Sequence, residues 1–421
     1  MPKCRIPVSQ LQLGMYVELD LAWNEHPFLF SAFKLKQDKQ IRILRGLGLR
    51  EVTVVSERSD VRVVSHDETP ETTTSENGNP EQDTATQERD QRMAQLKERR
   101  DRTQRAEKSY RRSLTTVKNL MKNLLSRPIQ AVEEAGILVD DLVKSLVSEN
   151  EVVLHLMNEK GQDESSYYHV LNVSVLAMML GRQANLGVEE LRDLGMGALF
   201  HDIGHQKIPS QILRKREPLN RAEQAFFEQH PIYGQELAAN LSTLSQNARD
   251  IIAQHHECMN GSGYPKQLHG VAINRLARVV AITNAYDNLV NPLNPEDALT
   301  PHEALAVLFR ERQAEFDPEL LATFVKHMGV YPPGTVVQLS NGFIGMVISL
   351  NPNALLYPSV LIYNPEVPKN EAIIFDLADD KDVSITASIR PGKLAPEVYE
   401  YLSPRTRISY YIDSQKPQPR P

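Results

Sequence analysis

The sequence predicts a mainly α protein: a helical bundle preceded by a small α+β domain and closed by a small C-terminal β module. Three observations carry that expectation. Apolar residues recur at helical spacing through most of 129–330, with boundaries marked by Pro209, Pro218, Pro231 and Pro265. On either side, in 1–64 and 331–413, short apolar runs alternate with turn residues instead. Between the first domain and the bundle lies a stretch with almost no large apolar side chains. At 421 residues the chain is too long for one ordinary core and divides into two or three domains.

Taken in order, 1–64 holds Ile6-Pro7-Val8, Leu13-Gly14-Met15-Tyr16-Val17, Phe28-Leu29-Phe30 and Val52-Thr53-Val54-Val55 as short extended runs. Asp38 to Gly46 reads as a helix, since Ile41, Leu44 and Leu47 fall three apart on one face. Trp23 and Phe28, beside His26 and Pro27, are expected to be core aromatics rather than a ligand surface. Residues 65–88 are rich in Thr, Glu, Asp, Asn, Gly and Pro, cannot offset their ordering entropy by burial, and are expected to form a disordered acidic linker. A charged signalling helix is expected over 89–128. Its first part, 89–112, mixes Arg and Lys with Glu and Asp, the pattern of a solvated helix rather than a nucleic-acid arm. Val117, Leu120, Met121, Leu124 and Leu125 then follow a spacing suited to a partner helix, which suggests a homodimer through this segment.

The bundle at 129–330 holds the candidate chemistry. From Tyr331 the pattern changes: Pro332-Pro333-Gly334 leads into Val336–Leu339, and Asn341-Gly342 before Ile344–Ile348 signals a hairpin. Further strands are expected at 359–363 and 371–375, and a loose Pro-rich tail at 414–421.

Composition narrows the function. A formal charge of −7 argues against a general nucleic-acid binder. Cys4 and Cys258 are the only cysteines, so neither a disulfide framework nor a thiolate metal site is expected, and a reducing cytoplasm fits. No apolar signal segment follows Met1, and no apolar run approaches the ~18 residues of a membrane span.

Eight of the twelve histidines fall between 155 and 269. Among them, His201-Asp202 ends an apolar helical run, His255 and His256 are adjacent, and His169 and His230 lie on neighbouring helices. A lone buried histidine is usually a hydrogen-bonded core residue. A His-Asp pair, a His-His pair and two more within ~90 residues would each need a partner, and a shared divalent cation supplies one for all.

The ordered motifs His201-Asp202-Ile203-Gly204, His255-His256-Glu257 and Gly261-Ser262-Gly263-Tyr264-Pro265, with His169 upstream, resemble the HD-GYP family of HD-domain metal-dependent phosphohydrolases over about 160–290. Leu11 to Val17 is similar to a piece of the small domain of unknown function often found ahead of such modules. The resemblance implies an HD-type helical bundle holding divalent ions, iron or manganese, and hydrolysis of cyclic di-GMP to pGpG or GMP in bacterial signalling. A GGDEF-type protein is a partner such an enzyme would have. The resemblance assigns His201 and Asp202 to catalysis, with Asp202 bridging two ions ~3.5–4 Å apart. His169 and His201 would complete one ion's shell, and His230, His255 and His256 the other's. Tyr264, Gly263 and Lys207 would meet the substrate.

There are departures. His205 stands where the family usually has lysine, and Lys207 is displaced. The segment 277–289 aligns with a family motif so that Asn284 occupies an aspartate ligand position, keeping the oxygen but losing the charge. Either His205 or Asp287 could substitute, but a weakly held first ion is the expectation. The arginines that commonly follow are replaced by Val290–Asn294. In trinuclear relatives a glutamate four residues before the first histidine adds a site; here that position is Ser165, with Glu164 adjacent, so two ions are expected. The competing functional reading is a catalytically weak regulatory protein that senses a nucleotide or docks a partner.

Overall fold

The computed structural model describes residues 3–61, 80–147, 153–156, 165–350 and 354–413, apart from 23–24, 29–30, 242, 366, 370–371, 379–382 and 403–409. The chain forms two units, Met1–Asp101 with Asn364–Ile373, and Arg102–Tyr363 with Ile374–Pro421.

The first unit contains an antiparallel sheet of β1 (Lys3–Pro7), β2 (Tyr16–Glu18), β3 (Ala32–Lys34) and β4 (Glu51–Val55) in the order β1-β4-β2-β3. Helix α1 (Asp38–Gly46) covers the expected range, started by a capping box between Gln37 and Gln40. Ile41 and Leu44 from α1 join Val17, Val52 and Val54 in one apolar cluster, so the strand alternation and the helical spacing point into the same core. Phe28 packs on Phe33 with ring centroids 4.4 Å apart, against this cluster. Trp23, Leu29 and Phe30 lie outside the described residues.

Helix α2 spans Pro80–Asn123, so residues 80–88, expected to be linker, are helical; residues 65–79 lie outside the described residues. The helix also stops short of 128, because Pro128 opens a new helix, α3 (Pro128–Val147), where a proline suits the first turn. Val117, Leu120 and Leu124, expected to face a partner, are buried in the chain's own core with Ala106, Tyr110 and Leu114, leaving Leu125 exposed.

The second unit continues with α4 (Ser165–Gln183), α5 (Val188–Phe200), α6 (Ser210–Leu213), α7 (Arg221–Phe227), α8 (His230–Ala239), α9 (Gln246–Gln254), α10 (Arg275–Val290), α11 (Pro301–Arg310) and α12 (Pro318–Met328). The starts are written in the sequence: Asn220, Ser245, Thr300 and Asp317 each accept a main-chain N–H from the first turn that follows. Helix α4 is central, with Val170, Leu171, Val173, Val175, Leu176 and Leu180 all buried, so it reads as apolar around its whole circumference.

The expected all-helical character of 129–330 needs one correction. A strand, β5 (Val153–Leu156), interrupts it. It pairs with β11 (Tyr410–Asp413) at the chain's end and touches β7 (Ile344–Ser349). The remaining strands are β6 (Val336–Leu339), β8 (Ser359–Ile362), β9 (Ile374–Asp376) and β10 (Ile385–Ile389), with α13 (Pro396–Leu402) before the last strand. The sheet order is β10-β6-β7-β5-β11, with β8 on β7 and β9 on β8. The Asn341-Gly342 hairpin joins β6 to β7 as the sequence indicated, with Gly342 at φ +88°. Rather than a separate module, the C-terminal sheet incorporates a strand from within the helical segment. Residues 414–421 lie outside the described residues.

Candidate metal centre

Helix α5 ends at Phe200, and His201 and Asp202 form the corner before a 3-10 turn at Ile203–Lys207. That corner can approach α8 closely because residue 204 is glycine: a Cβ there would lie 1.9 Å from the His230 carbonyl oxygen. Asp202 is thereby set among five histidines, its near neighbours His201 and His205 and the distant His169, His230 and His255. Its Oδ1 lies 3.4 Å from His230 Nε2 and 3.6 Å from His255 Nε2. Its Oδ2 lies 3.7 Å from His169 Nε2 and 3.4 Å from each of His201 Nε2 and His205 Nδ1. Two donor groups result, Asp202 with His230, His255 and His256, and Asp202 with His169 and His201, each with ligand atoms mutually within 4.8 Å.

Three of these rings are oriented by one local device. His201, His230 and His255 each stand at or just past a helix end, and each Nδ1 lies near the carbonyl three residues earlier: Ala198 at 2.7 Å, Phe227 at 2.9 Å and Ile252 at 3.1 Å. These carbonyls are ones that helix termini leave without intrahelical partners. A carbonyl only accepts, so Nδ1 carries the hydrogen in each ring and Nε2 presents a lone pair. His230 Nε2 and His255 Nε2 are 3.1 Å apart, and His201 Nε2 is buried with no hydrogen-bond partner. Acceptor facing acceptor is costly inside a protein unless a cation lies between them. The donor set, imidazole nitrogens around a carboxylate with no thiolate, fits a divalent transition ion.

Electrostatics point the same way. Burial, above all, drives His201 and His230 down to about 3, and His256 well below its ordinary value, so these rings are neutral and ready to ligate. Burial works against the Asp202 carboxylate, yet the imidazoles of His201, His205, His255 and His230 outweigh it and hold the group well below the usual carboxylate range. His169 differs. Burial opposes its charged form, but Asp287, Asp202 and Asn284 together raise it above its ordinary value.

Asn284 is buried beside His169, and its Oδ1 accepts from Asn288 Nδ2 at 2.8 Å. Asp287, weighed as a substitute ligand, lies on the far side of the His169 ring, 2.6 Å from Nδ1, where it orients that ring. His205 approaches Asp202 although α5 does not continue to it; the 3-10 turn brings it there instead. Glu164 lies outside the described residues.

The glycine-rich loop is organised by the last residue of the His255-His256-Glu257 motif, to which the sequence alone assigns no role. Glu257 is buried and accepts the main-chain N–H groups of Lys266 at 2.7 Å and Leu268 at 2.8 Å, folding the loop back on itself. A Cβ at Gly263 would lie 2.4 Å from both the Cys258 nitrogen and the His256 oxygen, which is why a glycine precedes Tyr264. Tyr264 stacks on His256 at 4.5 Å and 18°. Lys207 does not reach the cluster: its Nζ pairs with Glu236 at 2.6 Å and lies over the Tyr233 ring. Asn291 turns back toward Asp287. Among the described residues no helix is long and apolar enough to cross a membrane.

A family model for the HD domain matches residues 141–320, and one for a domain of unknown function, DUF3391, matches 3–135. A cyclic di-GMP phosphodiesterase of Pseudomonas aeruginosa is 29% identical over 85% of this chain and 84% of its own length. The response-regulator cyclic di-GMP phosphodiesterase RpfG of Xanthomonas campestris is 34% identical over 37% of this chain and 41% of its own. A 3'3'-cGAMP-specific phosphodiesterase of Vibrio cholerae is 30% identical over 42% of this chain and 34% of its own.

Proposed function

We propose that the chain, whose residues 141–320 match the HD domain and 3–135 the domain of unknown function DUF3391, is a metal-dependent phosphodiesterase of the HD-GYP type hydrolysing cyclic di-GMP to pGpG, GMP or both. The observation that carries the reading is the convergence of imidazole nitrogens on both oxygens of Asp202. Two ions, iron or manganese, would be held, one by His169, His201 and Asp202 with Asn284 beside them, and the other by Asp202, His230, His255 and His256. When bound, such ions supply Lewis acidity toward the phosphodiester and lower the pKa of water, the chemistry a hydrolytic step needs.

The protein's own groups do the rest. Asp202 keeps the two halves of the site in register, and His201, His230 and His255 hold their lone pairs inward against fixed carbonyls. Tyr264 offers an aromatic surface to a nucleobase beside the donor cluster, with Gly263 allowing the chain to pass close to His256. Lys207 serves as a phosphate contact if it exchanges Glu236 for substrate. Residues 1–64 act as the input domain and helix α2, Pro80–Asn123, as its connection to the catalytic segment at 129–330. A GGDEF-type cyclase is the partner that supplies substrate, in the cytoplasm. The regulatory alternative lacks support here, since the five histidines and Asp202 of the donor cluster are brought together, Asn284 being the one departure, and the relatives carry names of hydrolases.

The test is anaerobic purification with metal analysis, then incubation with cyclic di-GMP or 3'3'-cGAMP and chromatography of products. Linear products from cyclic di-GMP with about two ions per chain are expected. Metal-loaded protein that leaves cyclic di-GMP intact would overturn the reading.

A further inference from the structure

His169 is oriented differently from the other rings of the cluster. No local carbonyl holds its Nδ1; Asp287 on α10 does, at 2.6 Å. That carboxylate is itself fully engaged on Oδ1, which accepts from Asn172 Nδ2 at 2.5 Å and Asn291 Nδ2 at 2.8 Å. Asn172, on α4 three residues beyond His169, is buried, and its Oδ1 accepts the main-chain N–H of Tyr410 at 2.6 Å. The amide orientation is therefore fixed: its oxygen faces an N–H and its nitrogen faces a carboxylate.

Tyr410 is the first residue of β11, in the C-terminal sheet. Its ring is buried, and its hydroxyl donates to the Pro333 carbonyl at 3.2 Å while accepting from Tyr286 at 2.8 Å. Its neighbour Tyr411 has its hydroxyl 2.9 Å from Ser113 Oγ on α2 and its ring edge-on to Tyr110, 5.7 Å away. A continuous run of hydrogen bonds, buried as far as Asp287, thus leads from the C-terminal strand through Asn172 and Asp287 to His169.

We propose that strand β11 positions His169 for metal binding, with Asn172 and the Tyr410 main-chain N–H as positioning groups acting through Asp287. The proposal rests on the metal reading of the cluster. Its physical content is that Asp287 can lock the ring and tautomer of His169 only while its own place is fixed, and the group that fixes Asn172 beside it comes from β11. Strand β11 is thereby part of the first-ion half of the site and not of the second, where His230 and His255 are held by carbonyls at their own helix ends.

The experiment uses the full chain, stripped of metal and titrated with Mn2+, with free Mn2+ read by electron paramagnetic resonance. Wild type, Asn172→Ala, Tyr410→Pro, the double variant and Tyr410→Phe are compared. Asn172→Ala and Tyr410→Pro are each expected to weaken one of two Mn2+ sites by roughly 10–100-fold and leave the other unchanged. The double variant is expected to be no weaker than the worse single one, because both changes break the same connection. Tyr410→Phe keeps the N–H and is expected to bind as wild type does. Should Tyr410→Pro fail to fold, Asp287→Asn, which preserves volume, replaces it in the cycle with the same expectation. Equal weakening of both sites, or wild-type binding in Asn172→Ala, would overturn the proposal. Wild-type protein that takes up no Mn2+ would instead overturn the metal reading itself.

Discussion

The two halves of the donor cluster are built by different means. On one side, His230 and His255 are oriented by main-chain carbonyls three residues earlier, part of helices that must form for the chain to fold at all. On the other, His169 depends on a side-chain carboxylate and amide and on a strand at the far end of the sequence, and its neighbouring oxygen donor is the neutral Asn284. Backbone-held rings inherit the rigidity of their helices. A ring held by side chains is only as well placed as those side chains, and it can be adjusted from a distance.

Asp202 is the one residue common to both halves, so removing it tests whether they form one site. Asp202→Ala is expected to remove both ions and lower hydrolysis by several kcal/mol of transition-state stabilisation, roughly 10^3-fold or more. Metal analysis and turnover on cyclic di-GMP check it together. An enzyme that keeps both ions and full turnover would mean that the carboxylate is a spectator.

The rings held by main-chain carbonyls, His201 in one half and His230 in the other, make a second prediction, of intermediate size. His201 and His230 lie at about 3 in the folded chain, against 6.5 for the free side chain. Below pH 6.5 the unfolded chain therefore takes up protons that the folded one refuses, so stability is complete above that pH and is lost as pH falls toward 3. Each such ring contributes about 1.4 kcal/mol per pH unit within that window. Thermal melts of stripped protein at pH 7.5, 6 and 5 are expected to fall steadily, and the fall should be smaller in His230→Gln. A melting temperature flat across this range would show that these rings are not buried in neutral form.

Much of this was legible in the sequence, and the remainder has a common cause. The bundle, the α1 helix and the 341–342 hairpin follow from periodicity and turn chemistry, which are local. The donor residues are legible because metal ligation demands particular residue types in clusters. What could not be read was pairing across distance. Strand β5 is a four-residue stretch, Val153–Leu156, with His155 among three apolar residues, which periodicity cannot tell from a helix turn, and its partner lies beyond residue 400. The roles of Asn172 and Tyr410 depend on that same pairing. The α2 stripe at Val117, Leu120 and Leu124 has the spacing that a partner helix would need, but spacing does not say whether the partner is another chain or the same one; here the stripe is buried in its own core. A histidine immediately following an apolar helix, as at 201 and 255, is a signal that could have been used further, since the orphan carbonyls there fix its tautomer.

The smallest expected effect concerns the weaker half, and it separates charge from position. Asn284→Asp restores a carboxylate beside His169 without changing side-chain size, and Asn288 can still donate to it. The added charge attracts a divalent ion, but it also attracts the proton that His169, already raised above its ordinary value by Asp287, Asp202 and Asn284, would carry. Metal and proton compete for the same nitrogen, so the benefit should grow with pH. The expected result is about tenfold tighter Mn2+ binding at one site at pH 8.5, worth about 1.4 kcal/mol, and a smaller gain at pH 6.5. Parallel Mn2+ titrations of wild type and variant at the two pH values read this directly. A gain that is equal at both pH values would mean that proton competition at His169 is unimportant. Identical affinities throughout would show that residue 284, though it lies beside His169, does not face the ion, and that the first half of the site draws its charge from Asp202 alone.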